Sequence, residues 1–156
     1  TLPEIFKRAH AHKGTSLIEI LQNCIVYNDG VFDDILARDV ASEKQIHVEH
    51  GKPLLFGADK NKGIRLNVKT LTLEAVTVGE NGVTEEDILV HDEMNRSLAT
   101  LLAEMDGHEL PVALGVIYCD PAPTYEEGIE SKITSLRGAE APSLDALLRQ
   151  GHTWQA

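Results

Sequence analysis

Only two cysteines, Cys24 and Cys119, occur among the 156 residues, which is too few and too far apart for a disulfide framework. They fit two reduced thiols, and neither makes a metal site alone. Basic residues are scarce as well: 14 Lys and Arg stand against 25 Asp and Glu, a formal net charge of -11. Nucleic-acid affinity comes from basic side chains that release phosphate counterions, so this balance excludes nucleic acid as the main partner. No apolar run approaches the roughly 18 residues of a membrane span, and no basic, apolar and small-residue leader opens the chain. A soluble, unexported, cytoplasmic protein is expected. Also missing are a G-x-S-x-G nucleophile elbow, a G-x-x-x-x-G-K-[ST] phosphate loop and a G-x-G-x-x-G fingerprint, which removes the standard hydrolase, phosphate-loop and dinucleotide-binding readings. There is no internal repeat or low-complexity tract.

What remains is enough for one modest domain or a piece of a larger one, with 42% hydrophobic residues to build a core. The first residue is Thr1 rather than Met, which suggests a part of a longer polypeptide. Leu2, Ile5, Phe6 and Ala9 recur at helical spacing ahead of Gly14, predicting a helix over residues 2–13. Thr15 to Leu21 is a β-branched and aliphatic run that suits a buried parallel strand, with Cys24 just past its carboxyl end. Asn28-Asp29-Gly30 is a turn signal. From Ser42 to Val83 short segments divided by Gly, Pro and Asn read as hairpins, the best strand being Thr70 to Val78. Thr84 followed by Glu85, Glu86 and Asp87 reads equally as a helix cap or, through Ile88 to Val90, as a strand. Leu98, Leu101, Leu102 and Met105 define a second helix ended by Gly107, and Leu110 to Tyr118 a second apolar strand leading to Cys119. Thr124 with Glu127 forms a capping box for a third helix lined by Tyr125, Ile129, Ile133 and Leu136. Residues 138–156 read as a tail with at most a short helix at Leu144, Leu147 and Leu148. Helix and strand in alternation define the α/β class: a parallel sheet with flanking helices plus a β-hairpin insertion at about residues 45–92.

Ligands in open α/β sheets collect beyond the carboxyl ends of strands, so Cys24 stands in the right kind of place for a functional residue, although a packing thiol is the simpler account. His47-x-x-His50 and His10-x-His12 are the histidine pairs nearest metal-ligand spacing, and both read as solvated surface groups. His91-Asp92-Glu93 reads first as a cap, with a loop or a carboxylate site for a hard cation as alternatives. Charge is segregated along the chain. Lys52, Lys60, Lys62, Arg65 and Lys69 share the segment 52–69 with Asp59 as its one acidic residue, whereas residues 70–93 hold seven acidic residues and no Lys or Arg. Two solvated faces of a hairpin explain this, and a basic face that docks an acidic protein is the sharper alternative.

The stretch His-Lys-Gly-Thr-Ser-Leu-Ile-Glu-Ile-Leu-Gln-Asn-Cys-Ile-Val-Tyr-Asn-Asp-Gly, residues 12–30, resembles the beta subunit of 2-oxoacid:ferredoxin oxidoreductases. Glu49-His50-Gly51-Lys52-Pro53 with Phe56-Gly57, Gly82-Val83-Thr84-Glu85, His91-Asp92-Glu93 and Pro123-Thr124-Tyr125-Glu126 extend the likeness, in order, to the carboxyl-terminal half of the 2-oxoglutarate branch. The resemblance implies a thiamine-diphosphate-binding-type fold, incomplete here, with residues 1–137 its carboxyl-terminal part and 138–156 a tail. It implies a coenzyme A-dependent oxidative decarboxylation of a 2-oxoacid, with thiamine diphosphate, Mg2+ and a [4Fe-4S] cluster that passes electrons to ferredoxin. It also implies an alpha subunit as partner, and it makes Cys24 the fourth cluster ligand, since four thiolates are the normal complement. The family's G-D-G diphosphate motif and its other three cysteines are absent from this sequence. Cys119 matches no family ligand and reads as a structural thiol. Lys52, Lys60, Lys62, Arg65 and Lys69 become candidates for docking an acidic ferredoxin. The alternative of another class is a stand-alone noncatalytic interaction module derived from the same fold.

Overall fold

The computed structural model describes residues 2–137 and 143–151. They divide into two units: residues 16–120 with the amino-terminal segment through Ala11, and residues 12–15 with the segment beyond Asp120.

In the first unit, α1 spans Leu2–Ala11, as the apolar spacing predicts. Single helical turns α2 (Asp33–Leu36) and α3 (Ala41–Lys44) lead directly into β1, Gln45–Val48. A three-stranded antiparallel sheet follows, in the order β2 (Leu55–Phe56), β3 (Lys62–Asn67), β4 (Thr72–Thr77). Helix α4 (Arg96–Ala103) then precedes β5 (Val112–Gly115), which pairs with β1 in parallel, in register from Gln45↔Val112 to Val48↔Gly115. The architecture is α/β: a parallel pair with helices, plus an antiparallel hairpin sheet. Ile46, Leu54, Ile64 and Leu102, each 0–1% exposed, centre one core that joins β1, the hairpin sheet and α4. Gly63 fits there because a Cβ would lie 2.5 Å from Cδ1 of Ile88.

Three expectations change. Residues 15–21 form no strand: Leu17 is 95% exposed and Ile20 52%. An apolar run becomes a buried parallel strand only when neighbouring strands take its backbone hydrogen bonds, and no described strand pairs with it. Conversely, Gln45–Val48, inside the segment that reads as hairpins, belongs to the parallel pair. At Thr84 the cap forms, and residues 88–90 make no strand beyond an isolated bridge between Val90 and Pro53. The Asp87 carboxylate accepts from the Thr84 amide at 2.8 Å, closing a turn of 3-10 helix over Glu85–Asp87. Beyond it Leu89 runs beside β3, its amide donating to Ile64 O at 2.9 Å and its carbonyl accepting from the Leu54 amide at 2.8 Å.

The hairpin sheet is cross-tied by charge. Arg65 and Glu74 are directly opposed on β3 and β4, with Nε donating to Oε1 at 2.8 Å, and Lys62 reaches Glu43 at 2.6 Å. Hydrogen bonding to Arg65, and to Lys62, holds the Glu74 and Glu43 carboxyls below their ordinary values; the Thr84 amide does the same for Asp87. Groups with depressed folded values contribute stability fully above the ordinary carboxylate range near pH 4 and lose it as acid protonates them in the folded state. Acidification below about pH 4 should therefore loosen this sheet, and the E43Q/E74Q variant should show a flatter acid limb in urea midpoints measured across pH. An unchanged acid limb would remove these carboxylates from the account.

In the second unit, α5 (Tyr125–Arg137) begins at the anticipated box: Thr124 N donates to Glu127 Oε2 at 3.0 Å and Glu127 N to Thr124 Oγ1 at 3.2 Å. Lys13 reaches Glu127 at 3.4 Å. The stripe of Tyr125, Ile129, Ile133 and Leu136 forms as spaced but stands exposed at 39–79%. Ser143 caps the short α6 (Leu144–Leu148), where the sequence places a helix. Residues 138–142 and 152–156 of the expected tail lie outside the described residues. Among those described, no helix is long and apolar enough to cross a membrane.

Candidate functional site

Cys24 lies in an exposed loop rather than at a strand end. Its carbonyl accepts from the Asn28 amide at 3.0 Å, forming a bridge that folds residues 24–28 into a tight turn. The preceding residue, Asn23, closes the loop: its Nδ2 donates to Asp29 Oδ1 at 2.8 Å, and its Oδ1 accepts from the Gly30 amide at 3.0 Å. Gly30 adopts φ +76, a region in which glycine carries no Cβ penalty, so the Asn-Asp-Gly turn signal has its physical basis here. With the chain curled this way, the neighbouring backbone, Tyr27 first and then Val26 and Asn28, holds the Cys24 thiol below its ordinary pKa. This setting favours a sulfur that carries negative charge, the state in which cysteine binds soft metals. The side chains that follow, Ile25, Val26 and Tyr27, are 75–91% exposed, so this is a loop presented outward rather than packed.

A second cluster joins motifs far apart in sequence. His50-Gly51-Lys52 and His91-Asp92-Glu93 meet through Gly51 N to His91 O at 2.8 Å and His91 N to Lys52 O at 2.9 Å. His91 is 1% exposed, not a cap; its Nε2 donates to Val116 O at 2.8 Å. The cap of α4 is instead Asn95, whose Oδ1 accepts from Leu98 N at 3.1 Å, while Asp92 Oδ1 accepts from Met94 N at 3.0 Å. His50 Nδ1 accepts from the Glu93 amide at 3.3 Å, and His47 is exposed. Glu93 forms an ion pair with Arg8 of α1, and its carbonyl accepts from the Cys119 amide at 2.8 Å. Hydrogen bonding to Glu93 holds the Arg8 guanidinium above its ordinary pKa, with a smaller contribution from Cys119. This cluster ties α1, the turn before α4 and the segment after β5 together, so Cys119 has a structural setting and lies apart from the Cys24 loop in the hydrogen-bond pattern.

The five basic residues of segment 52–69 do not share one environment. Lys62 and Arg65 are paired with Glu43 and Glu74, whereas Lys52, Lys60 and Lys69 are exposed and form no ion pair among the described residues. Lys60 precedes β3 and Lys69 follows it, so six residues of strand, about 20 Å, separate them. Among the described residues no group of three or more His, Cys, Asp or Glu side chains gathers to hold a metal ion.

Fold and loop together define an α/β chain that presents Cys24 on an exposed, tightly turned loop. Compared with known proteins, it is 35% identical over 161 aligned positions to the 2-oxoglutarate oxidoreductase subunit KorB of Mycobacterium tuberculosis. The alignment covers 98% of this chain and 41% of that protein, its carboxyl-terminal part. Nearly the whole chain is thus similar to the carboxyl-terminal part of that 2-oxoglutarate oxidoreductase subunit and spans less than half of its length. No family model and no solved structure matches it.

Proposed function

We propose that the chain is the carboxyl-terminal part of the catalytic beta subunit of a 2-oxoglutarate:ferredoxin oxidoreductase, inactive by itself. Residues 1–137 form its thiamine-diphosphate-type portion, with the antiparallel hairpin sheet inserted after β1, and residues 138–156 form the tail. The observation that carries the reading is the Gln-Asn-Cys segment, folded as an exposed loop tied by Asn23 to Asp29 and Gly30, within a chain aligned over 98% of its length to the 2-oxoglutarate oxidoreductase subunit KorB of Mycobacterium tuberculosis. An exposed thiol inclined toward the thiolate fits the fourth ligand of a [4Fe-4S] cluster, with the other three thiolates and the ligands of Mg2+ and thiamine diphosphate supplied from outside this sequence. Those groups supply the electron sink and the one-electron relay for oxidative decarboxylation of the 2-oxoacid with coenzyme A. This chain's own part is to hold one thiolate on an exposed loop and to present that loop toward the rest of the assembly.

The test is to express the complete beta subunit with its alpha subunit and follow ferredoxin reduction. Reduction that requires both 2-oxoglutarate and coenzyme A, and that pyruvate does not replace, is the expected result. Reduction with pyruvate alone would move the substrate assignment, and no reduction by a correctly assembled complex would overturn the reading.

Ferredoxin docking follows from the same proposal. Since Lys62 and Arg65 are already neutralised by carboxylates, the unpaired Lys52, Lys60 and Lys69 are the groups that attract an acidic partner. K52Q, K60Q and K69Q should each slow ferredoxin reduction at low ionic strength by a fewfold and weaken its salt dependence. Because strand β3 separates Lys60 from Lys69, the stronger of their two effects reports which end of the hairpin sheet faces ferredoxin. Salt dependence equal to wild type in all three variants would exclude this face.

A further inference from the structure

Strand β4 is a free edge of the hairpin sheet, which runs β2-β3-β4. Its neighbour fixes which backbone groups it leaves open. Ile64 of β3 turns its own groups away from β4, since its amide donates to Leu54 O at 3.0 Å and its carbonyl accepts from Leu89 N at 2.9 Å. Ile64↔Ala75 is therefore a non-hydrogen-bonded pair, and so, two residues along, is Leu66↔Leu73. The N–H and C=O of Leu73 and Ala75 consequently point off the edge of the sheet, and no described hydrogen bond engages them. Proteins blunt such edges with Lys, Pro or bulges. Strand β4, Thr-Leu-Glu-Ala-Val-Thr, contains neither residue and pairs with β3 without a bulge over six positions.

The edge opens onto a groove. Two clefts of about 370 and 420 Å³ share Ala75, Glu109 and Leu110, and so run on from one another beside residues 73–77; each is of a size that holds bound groups. The opposite wall, residues 104–111, brings Met105 and Leu110 as apolar surface. Around Leu73 the lining carries Glu74, Glu104, Asp106 and Glu109 and no Lys or Arg. Glu74 is held by Arg65, whereas Glu104, Asp106 and Glu109 are exposed and form no ion pair among the described residues. At the other end the two lysines are already engaged, Lys62 with Glu43, and Lys44 Nζ with the carbonyls of Gly107 and His108 at 2.8 Å each. We propose that this groove accepts an extended basic segment of another protein, which adds to β4 as a further strand. Leu73 and Ala75 offer it their N–H and C=O groups, Met105 and Leu110 receive its apolar side chains, and the three free carboxylates receive its Lys or Arg. A second copy of this chain is the poorer occupant, because pairing β4 with itself would set the same carboxylates against each other in a chain of net charge -11.

The experiment uses the complete beta subunit without cofactors or substrates, so its failure and failure of the enzymatic reading are separate results. The probe is a terminally blocked peptide of alternating lysine and valine, with two controls: the same peptide with glutamate for lysine, and the lysine peptide N-methylated at every backbone amide. The lysine peptide should bind and slow hydrogen exchange within residues 72–77. The glutamate peptide should not bind, and methylation should weaken binding by about tenfold or more, the factor expected from losing the backbone donors. E104Q/E109Q should weaken binding about three- to tenfold and flatten its salt dependence. Equal binding of the methylated peptide would mean charge attraction without strand addition and would overturn the proposal, as would no binding of the lysine peptide or unchanged affinity in E104Q/E109Q. Exchange already slow without peptide would show the edge covered by the subunit's own residues, and protection that grows with subunit concentration would show self-pairing; either result also overturns it.

Discussion

Cys24→Ser in the assembled enzyme should strip most of the iron and lower ferredoxin reduction by more than about a hundredfold, since even residues that merely orient metal ligands cost 10–100-fold when removed. A serine hydroxyl is a hard, weakly acidic donor that does not replace a thiolate on iron. The exposed loop gives the substitution almost no packing to lose, so the denaturant midpoint of the polypeptide itself should move by less than about 0.5 kcal/mol equivalent. These two expectations together separate the proposals. A cluster ligand predicts a large loss of iron with an intact fold, whereas a noncatalytic interaction module predicts only the small stability change. Full iron content and full ferredoxin reduction in C24S would rule out the ligand role.

The largest effect on stability is expected at Gly115. This residue ends β5 opposite Val48 with φ +139, and a Cβ built there would lie 2.6 Å from the Val48 carbonyl oxygen and 2.9 Å from its Cγ2. Backbone cannot retreat as a flexible side chain would, and any L-residue is strained at that angle. G115A should destabilise the protein by roughly 2–5 kcal/mol, combining strain with overpacking, a large part of the 5–15 kcal/mol typical of a folded domain. Gly79 provides the control, having φ +88 but open space around its Cβ position, so G79A should lose only about 1 kcal/mol from strain. Guanidinium midpoints would decide; equal losses in the two variants would mean that the approach to Val48 is unimportant.

What the sequence disclosed follows the range of the interactions involved. Helices α1, α4 and α5 rest on i, i+3 and i+4 spacing and on caps a few residues away, and each appears where Leu2, Leu98 and Tyr125 begin an apolar face. Strand pairing is nonlocal, so the aliphatic run at 15–21 looked like a buried strand and has no described partner, while Gln45–Val48, four unremarkable residues, carries half of the parallel pair. His91 looked like part of a cap because nothing in its neighbourhood announces Val116, the distant residue whose carbonyl accepts its hydrogen bond. In the candidate site, composition and spacing left Cys24 a packing thiol, and the family resemblance alone singled it out. The turn at Asn28-Asp29-Gly30 was legible; the grip of Asn23 on both Asp29 and Gly30 was not, because Asn at that position serves equally as an ordinary loop residue.

The pairing of β1 with β5 has a temporal side as well. Everything in the antiparallel sheet lies between the two strands in sequence, so β3 and β4 can zip within about 1–10 μs of being available, whereas Gln45 waits for Val112 to exist. During synthesis at roughly 5–20 residues per second, the edge of β1 stands unpaired for several seconds with Ile46 and Val48 still awaiting their cover. The parallel pair is thus the last part of the core to close, and the interval before its closure is when the growing chain is most open to mispairing.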